Sequence, residues 1–238
     1  MEKENRKTGR GGCLLCGQEL VYHKEAVEMT CALCGRKEKS HAACQAGHYV
    51  CDTCHEKKGL ETIRRICMET SLRDPIAIMQ AVMEDPFIYM HGPEHHVMAG
   101  AALLAAYHNC GGQICLEEAL RQMEERGSQI PGGVCGFWGC CGAGVSAGIF
   151  MSIVTGATPL AGKSWGLSNR MTARALEAIG EIGGPRCCKR DTFTAVREAV
   201  RMAGEELGVG MELPERIVCT FSGENRQCLR GKCPYYQG

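Results

Sequence analysis

The sequence has no excess of charge of either sign, with lysine plus arginine and aspartate plus glutamate at 27 each in 238 residues. Such a balance gives no general attraction for nucleic acid or an anionic membrane, so a partner of that kind would have to use a local patch. Long apolar runs are missing too. The longest, Val97 to Ala106 and Ala143 to Thr155, fall well short of the roughly 20 residues that a membrane-spanning helix needs. The opening MEKENRKTGRGG carries no apolar core of the kind found in a secretion signal. Strand-like alternation is scarce, and no repeat is visible beyond short cysteine knuckles. These absences predict a soluble, cytoplasmic, mainly α protein with no membrane contact and no general nucleic-acid binding.

Cysteine is what the chain has in quantity, 18 residues of it. Without a signal, and at a length unusual for a disulfide-stapled mini-protein, these thiols are expected to be free or metal-bound. Eleven of them lie outside the first 55 residues, a liability in oxygen that points to an anaerobic source. Hydrophobic content of 45% is enough for a real core.

Three segments are expected. Residues 1–12 are polar, basic and Gly-ended, and read as a flexible arm. Residues 13–58 hold seven cysteines and few large apolar side chains, so folding there needs metal rather than apolar burial. Residues 59–238 show helical periodicity, with helices expected near 60–70, 74–84, 94–108, 116–126, 143–155, 168–181 and 191–207. Asp74 would cap the second of these with Pro75 in its first turn, and glycine- and proline-rich stretches would separate them.

The ligand candidates of the first segment fall into four pairs: Cys13 with Cys16, Cys31 with Cys34, His41 with Cys44, and Cys51 with Cys54. A two-residue gap forms a tight knuckle that aims both side chains at one ion, and a tetrahedral zinc site takes two such pairs. Two zinc ions are therefore expected. The order of four cysteines, one histidine and three cysteines resembles the cross-brace, treble-clef-like modules of the RING and PHD type. That resemblance implies that Cys13, Cys16, His41 and Cys44 share one ion, while Cys31, Cys34, Cys51 and Cys54 share the other. Two sequential ribbons are the alternative, and His48 or His55 could stand in for His41. With every position filled by protein, structural zinc is favoured over catalytic zinc, and a protein partner is expected through this module.

The second domain has three cysteine clusters. Gly132 to Gly148 reads GGVCGFWGCCGAGVSAG, with Cys135, Cys140 and Cys141 among seven glycines before an apolar helix. Arg186-Cys187-Cys188-Lys189-Arg190 repeats an adjacent pair among cations. Cysteines at helix N-termini are expected to favour the thiolate, which makes Cys140 and Cys187 the candidates for catalysis. The tail carries Cys219, Cys228 and Cys233-Pro234. These three, with Cys188 or Cys141 as fourth ligand, could hold a [4Fe-4S] cluster; a third structural zinc or plain buried cysteines are the rival readings. HGPEHH supplies His91, Glu94, His95 and His96, for substrate, metal, or capping and packing. Cys67, Cys110 and Cys115 read as core residues.

Three further motif matches are set aside. Gly144 to Gly148 fits GxSxG but follows a Gly-Cys loop rather than a strand. Ala157 to Ser164 fits a loose phosphate loop but lies outside any βα alternation, and the glycines from Gly142 fail the dinucleotide fingerprint for the same reason.

HGPEHH, CGFWGCCGAGVSAGIF, GGPRCCKRD and CLRGKCPYY together resemble an uncharacterised cysteine-rich family of anaerobic bacteria and archaea, over residues of about 60 to 238. Some members are joined to methyltransferase-like domains. The resemblance implies a metal or sulfur role near S-adenosylmethionine or one-carbon chemistry. The resulting expectation is a zinc- and iron–sulfur-binding protein in sulfur-transfer or redox chemistry; the alternative is a non-enzymatic zinc-binding adaptor or a metal or redox sensor.

Overall fold

The computed structural model describes residues 12–237; the arm expected over 1–12 falls outside them except for Gly12. Two antiparallel strands, β1 (Leu20–Thr30) and β2 (Lys37–Cys44), form a hairpin with an irregularity between Tyr22 and Val27. Eight helices follow among the described residues: α1 (Asp52–Glu69), α2 (Pro75–Met83), α3 (Glu94–Asn109), α4 (Leu116–Gly127), α5 (Cys135–Trp138), α6 (Gly142–Thr155), α7 (Lys163–Ile182) and α8 (Cys188–Leu207). The protein is mainly helical.

α3 is the central rod. Every residue from Val97 to Tyr107 is buried, as expected of a helix that is apolar all round. Its alanines and Gly100 let α1, α2, α4, α6 and α8 pack around it. A Cβ at Gly100 would fall 2.1 Å from the Met123 methyl of α4. The outer helices bury a stripe instead, as α7 does with Leu167, Met171 and Ala175 at a spacing of four. Asp74 accepts from the Ile76 amide at 2.8 Å and Pro75 opens α2, so this start follows the capping chemistry read from the sequence. No helix among the described residues is long and apolar enough to cross a membrane.

Three elements depart from expectation. The hairpin departs from expectation because its strands, LVYHKEAVEMT and KEKSHAAC, are rich in charge, with β1 largely exposed and β2 mostly half-buried, leaving no apolar alternation to read. The single turn α5 is too short for a periodic signal. α1 begins at Asp52, so the boundary expected at 58/59 lies inside one continuous helix.

The hairpin end of the chain rests on the helical domain. Asp52 Oδ2 accepts from the Gly132 amide at 2.7 Å, His41 stacks on Phe137 with ring centroids 4.3 Å apart, and Arg186 Nη2 donates to the Tyr22 hydroxyl. The tail after α8 returns across the same domain. The Cys219 amide bonds Tyr235 O at 2.8 Å, Gln80 Nε2 donates to Val218 O at 3.0 Å, and the Tyr235 and Thr194 hydroxyls meet at 2.9 Å.

Candidate metal centres and an adjoining cavity

Two four-ligand groups stand at the ends of the hairpin, each with all ligand atoms within 4.8 Å of one another. The first joins Cys13, Cys16, Cys44 and His48. Cys16 and Cys44 sulfurs are 3.8 Å apart, and His48 Nδ1 lies 3.5 Å from Cys44 Sγ and 3.9 Å from Cys13 Sγ. His48 enters because Gly47, at φ +79°, turns the chain back so that the His48 amide itself donates to Cys44 Sγ at 3.3 Å. His41, expected in this group, is not in it: it lies within β2, its ring stacked on Phe137 and its Nδ1 donating to His23 O at 3.0 Å.

The second group joins Cys31, Cys34, Cys51 and Cys54. Gly35 at φ +73° closes the first knuckle, and the start of α1 presents Cys51 and Cys54 from consecutive turns. Burial raises the Cys31 thiol, but amide donors from Cys51, Cys34 and Leu33 outweigh it and bring it down to about 6. Cys44 is held at about 7, the His48 and Ala46 amides outweighing its burial. Cys16, Cys51 and Cys54 are raised, Cys51 to about 12, so each group pairs a ready thiolate with thiols that would give up a proton to a bound metal. The two groups interleave along the chain, the first and third knuckles serving one and the second and fourth the other, and both can hold metal.

The tail cysteines meet elsewhere. Cys219, Cys228 and Cys233 line a small cavity together with Cys187, Arg190, Phe221 and Asn225. Sulfur atoms here receive N–H donors: Asn225 Nδ2 to Cys187 at 3.4 Å, the Arg230 amide to Cys228 at 3.3 Å, and the Phe221 amide to Cys219. Among the described residues no carboxylate or histidine is in the wall. Two buried cations stand by: Arg190, bonded to Asp191 Oδ1 at 2.9 Å, and Lys189, whose Nζ lies 4.7 Å over the Phe221 ring. Cys187 thus occupies the place expected for Cys188 or Cys141. It caps α8 in extended backbone, φ −149° and ψ 103°, and Cys188 is the first helical residue, so the two side chains leave in different directions.

Cys188 and Cys141 line a second, larger cavity of about 140 Å³ beneath the hairpin, with Cys135, Cys140, His91, His96, Asp191 and Arg186. The expected lowering of helix-terminal thiols is not seen. Burial raises Cys141, Cys187 and Cys188, Cys187 to about 12, because desolvation of a buried thiolate exceeds what a helix end offers it. Asp191 divides the cavities: its Oδ2 accepts from the Cys187 amide at 3.3 Å and lies 3.9 Å from Cys141 Sγ. Of the two thiols read as catalytic, Cys140 faces the larger cavity and Cys187 the smaller.

HGPEHH builds the floor. Glu94 is fully buried and accepts from the Tyr89 amide at 3.2 Å, with His95 Nδ1 at 3.3 Å and His55 Nδ1 at 3.4 Å. Burial opposes its charge, yet the two imidazoles hold its carboxyl well below the usual range. His96 Nδ1 donates to Ile130 O at 3.1 Å. Ser146 of the GxSxG match is buried within α6 and accepts from the Gly100 amide at 2.9 Å, a packing role. The sequence reading missed Arg186 and Tyr22 as cavity residues; the cations around Cys187 were visible, but their direction was not.

No curated protein and no solved structure matches the chain. Both four-ligand groups precede the span of a matching family model, which begins within α1, whereas the cysteines of the two cavities lie inside it except Cys13, which borders the larger cavity. Residues 63–236 match a family of unknown function, DUF5714, and the chain belongs to that family.

Proposed function

We propose that this chain is a zinc- and iron–sulfur-binding protein acting in redox or sulfur-transfer chemistry, with zinc in the two N-terminal groups and a [4Fe-4S] cluster in the tail cavity. For zinc, the support is the donor chemistry: three thiols with an imidazole, and four thiols, each a complete tetrahedral set without room for water. Such sites are structural. They would fold a segment with little apolar surface and hold it against the helical domain.

The observation that carries the iron–sulfur reading is the wall of the tail cavity. Among the described residues four cysteines face it with no carboxylate or histidine, yet they form no group of three within 4.8 Å, as the N-terminal cysteines do. A single ion draws its ligands together, whereas a cubane binds each thiolate to a different iron and holds them farther apart; the cavity, of about 10 Å³, would open to admit one. N–H donors to sulfur and buried cations suit an anionic cluster, whose potential responds to such groups. A bound cluster would supply electron transfer. The chain's own residues would ligate it, insulate it behind Phe221 and Met90, and separate it by Asp191 from the thiols of the larger cavity. A role beside S-adenosylmethionine-dependent enzymes is proposed from the family resemblance.

A second reading, an adaptor with structural zinc alone, draws on Phe137 and Trp138, 47% and 62% exposed on α5 beside the hairpin. Anaerobic purification with metal analysis and a visible spectrum decides between them. About two zinc and about four iron per chain, with cluster absorption, are expected. Zinc without iron after anaerobic reconstitution would leave the adaptor.

A further inference from the structure

Arg186 has no carboxylate within ion-pair distance among the described residues. Its guanidinium is half-buried, donates to the Tyr22 hydroxyl and lies 5.1 Å from the centre of the Tyr22 ring. Its nearest ionisable neighbours are Cys188, Tyr22 and Cys135, and Asp191 and His91 of the same cavity also feel its charge without an ion pair to it. The nearest acids in the cavity are engaged elsewhere, Asp191 with Arg190 at 2.9 Å and Asp52 with the Gly132 amide at 2.7 Å. A guanidinium withdrawn from water without an anionic partner is costly, and proteins place one where a ligand supplies the anion. Arg186 lies in the wall of the larger cavity.

The size of that cavity limits the ligand. Its volume of about 140 Å³ is close to the roughly 150 Å³ of an engineered protein cavity that holds benzene. A nucleoside or a peptide would not be enclosed; a molecule of a few heavy atoms would. The planar fork of an arginine pairs with carboxylate or phosphate oxygens through two parallel bonds.

We propose that the cavity between the hairpin and the helical domain binds a small molecule bearing a carboxylate or phosphate, with its anion on Arg186 and its remainder against the thiols of Cys135 and Cys188. The site goes beyond the iron–sulfur reading and does not depend on it, because Arg186 and the cavity are complete without the tail cysteines.

The test is thermal melting of the full-length, as-purified protein at constant ionic strength with acetate, mercaptoacetate, inorganic phosphate or the neutral acetamide. A ligand that binds only the folded state raises Tm with concentration. At least one anion is expected to raise Tm saturably at millimolar concentration while acetamide does not, and its identity separates carboxylate from phosphate recognition. Arg186→Gln is expected to abolish the shift and Arg186→Lys to reduce it. If Arg186→Gln does not fold, Tyr22→Phe, which keeps the guanidinium, is expected to retain the shift while Arg186→Lys weakens it. No shift with any anion, or a shift undiminished by the arginine substitutions, would overturn the proposal. Protein without iron is expected to respond in the same way, so failure of the cluster reading is seen separately.

Discussion

Cys187 and Cys188 are adjacent in sequence, yet their thiols line different cavities: Cys187 faces the tail cysteines, and Cys188 faces Arg186 beneath the hairpin. A cap residue in extended backbone followed by the first residue of a helix produces that divergence. The first turn of α8 with its cap therefore touches both cavities, Cys187 and Arg190 on one side and Cys188 and Asp191 on the other.

This divergence separates the effects of two otherwise equivalent substitutions. Cys187→Ser is expected to lose more than half of the bound iron and its visible absorption, and Cys188→Ser to keep both. Iron assay after anaerobic reconstitution, with equal zinc as the control for folding, makes the comparison. Equal iron in the two variants would sink the assignment of Cys187.

The two histidines near the first metal group differ in the same way. His48→Ala is expected to lower zinc from about two toward one per chain, since its imidazole belongs to the group. His41→Ala should retain both ions and lose the stacking on Phe137. Zinc content after gel filtration reads the difference, and a zinc loss confined to His41→Ala would reverse it.

His95 is expected to contribute acid sensitivity to the fold, against Glu56, whose carboxyl burial raises to about 7 and whose protonation acts in the opposite direction. Burial, aided by the charge of Lys189, holds the His95 imidazole down to about 4 against an ordinary 6.5, with Glu94 pulling the other way. The folded value lies below the unfolded one, so the unfolded chain takes up a proton first and the contribution of His95 to stability declines as pH drops from 6.5 toward 4. The loss between pH 6.5 and 5 is on the order of 2 kcal/mol. Denaturant melts of His95→Gln over that window are expected to show a shallower slope than wild type; parallel slopes would remove His95 as the cause.

Gly142 is a packing requirement at the cavity wall. A Cβ there would lie 2.3 to 2.7 Å from atoms of the His96 ring, which its bond to Ile130 O keeps from swinging aside. Gly142→Ala is expected to cost about 1–3 kcal/mol, as overpacking does. Gly136→Ala, with nothing within 4 Å of the new methyl, should change stability by less than about 0.5 kcal/mol. Thermal melts of the pair, measured side by side, provide the check.

Local patterns carried far in this chain because they act over a few residues. Helical periodicity located seven of the eight helices of the described residues, and the two-residue gaps of Cys13, Cys31 and Cys51 marked knuckles before any fold was known. Choices between near neighbours were not legible. Whether His41 or His48 meets Cys44 depends on a glycine turn and on which face of β2 the hairpin presents. Whether Cys187 or Cys188 joins Cys219, Cys228 and Cys233 depends on where α8 begins and how the tail returns to it. That Arg186 has no ion-pair partner among the described residues, while Asp191 pairs with Arg190, depends on how the hairpin and α8 meet in space. Residue type and spacing determined seven of the helices and the cysteine knuckles. The tertiary structure alone decided which of them meet, because side-chain direction and long-range approach are set by packing rather than by order along the chain.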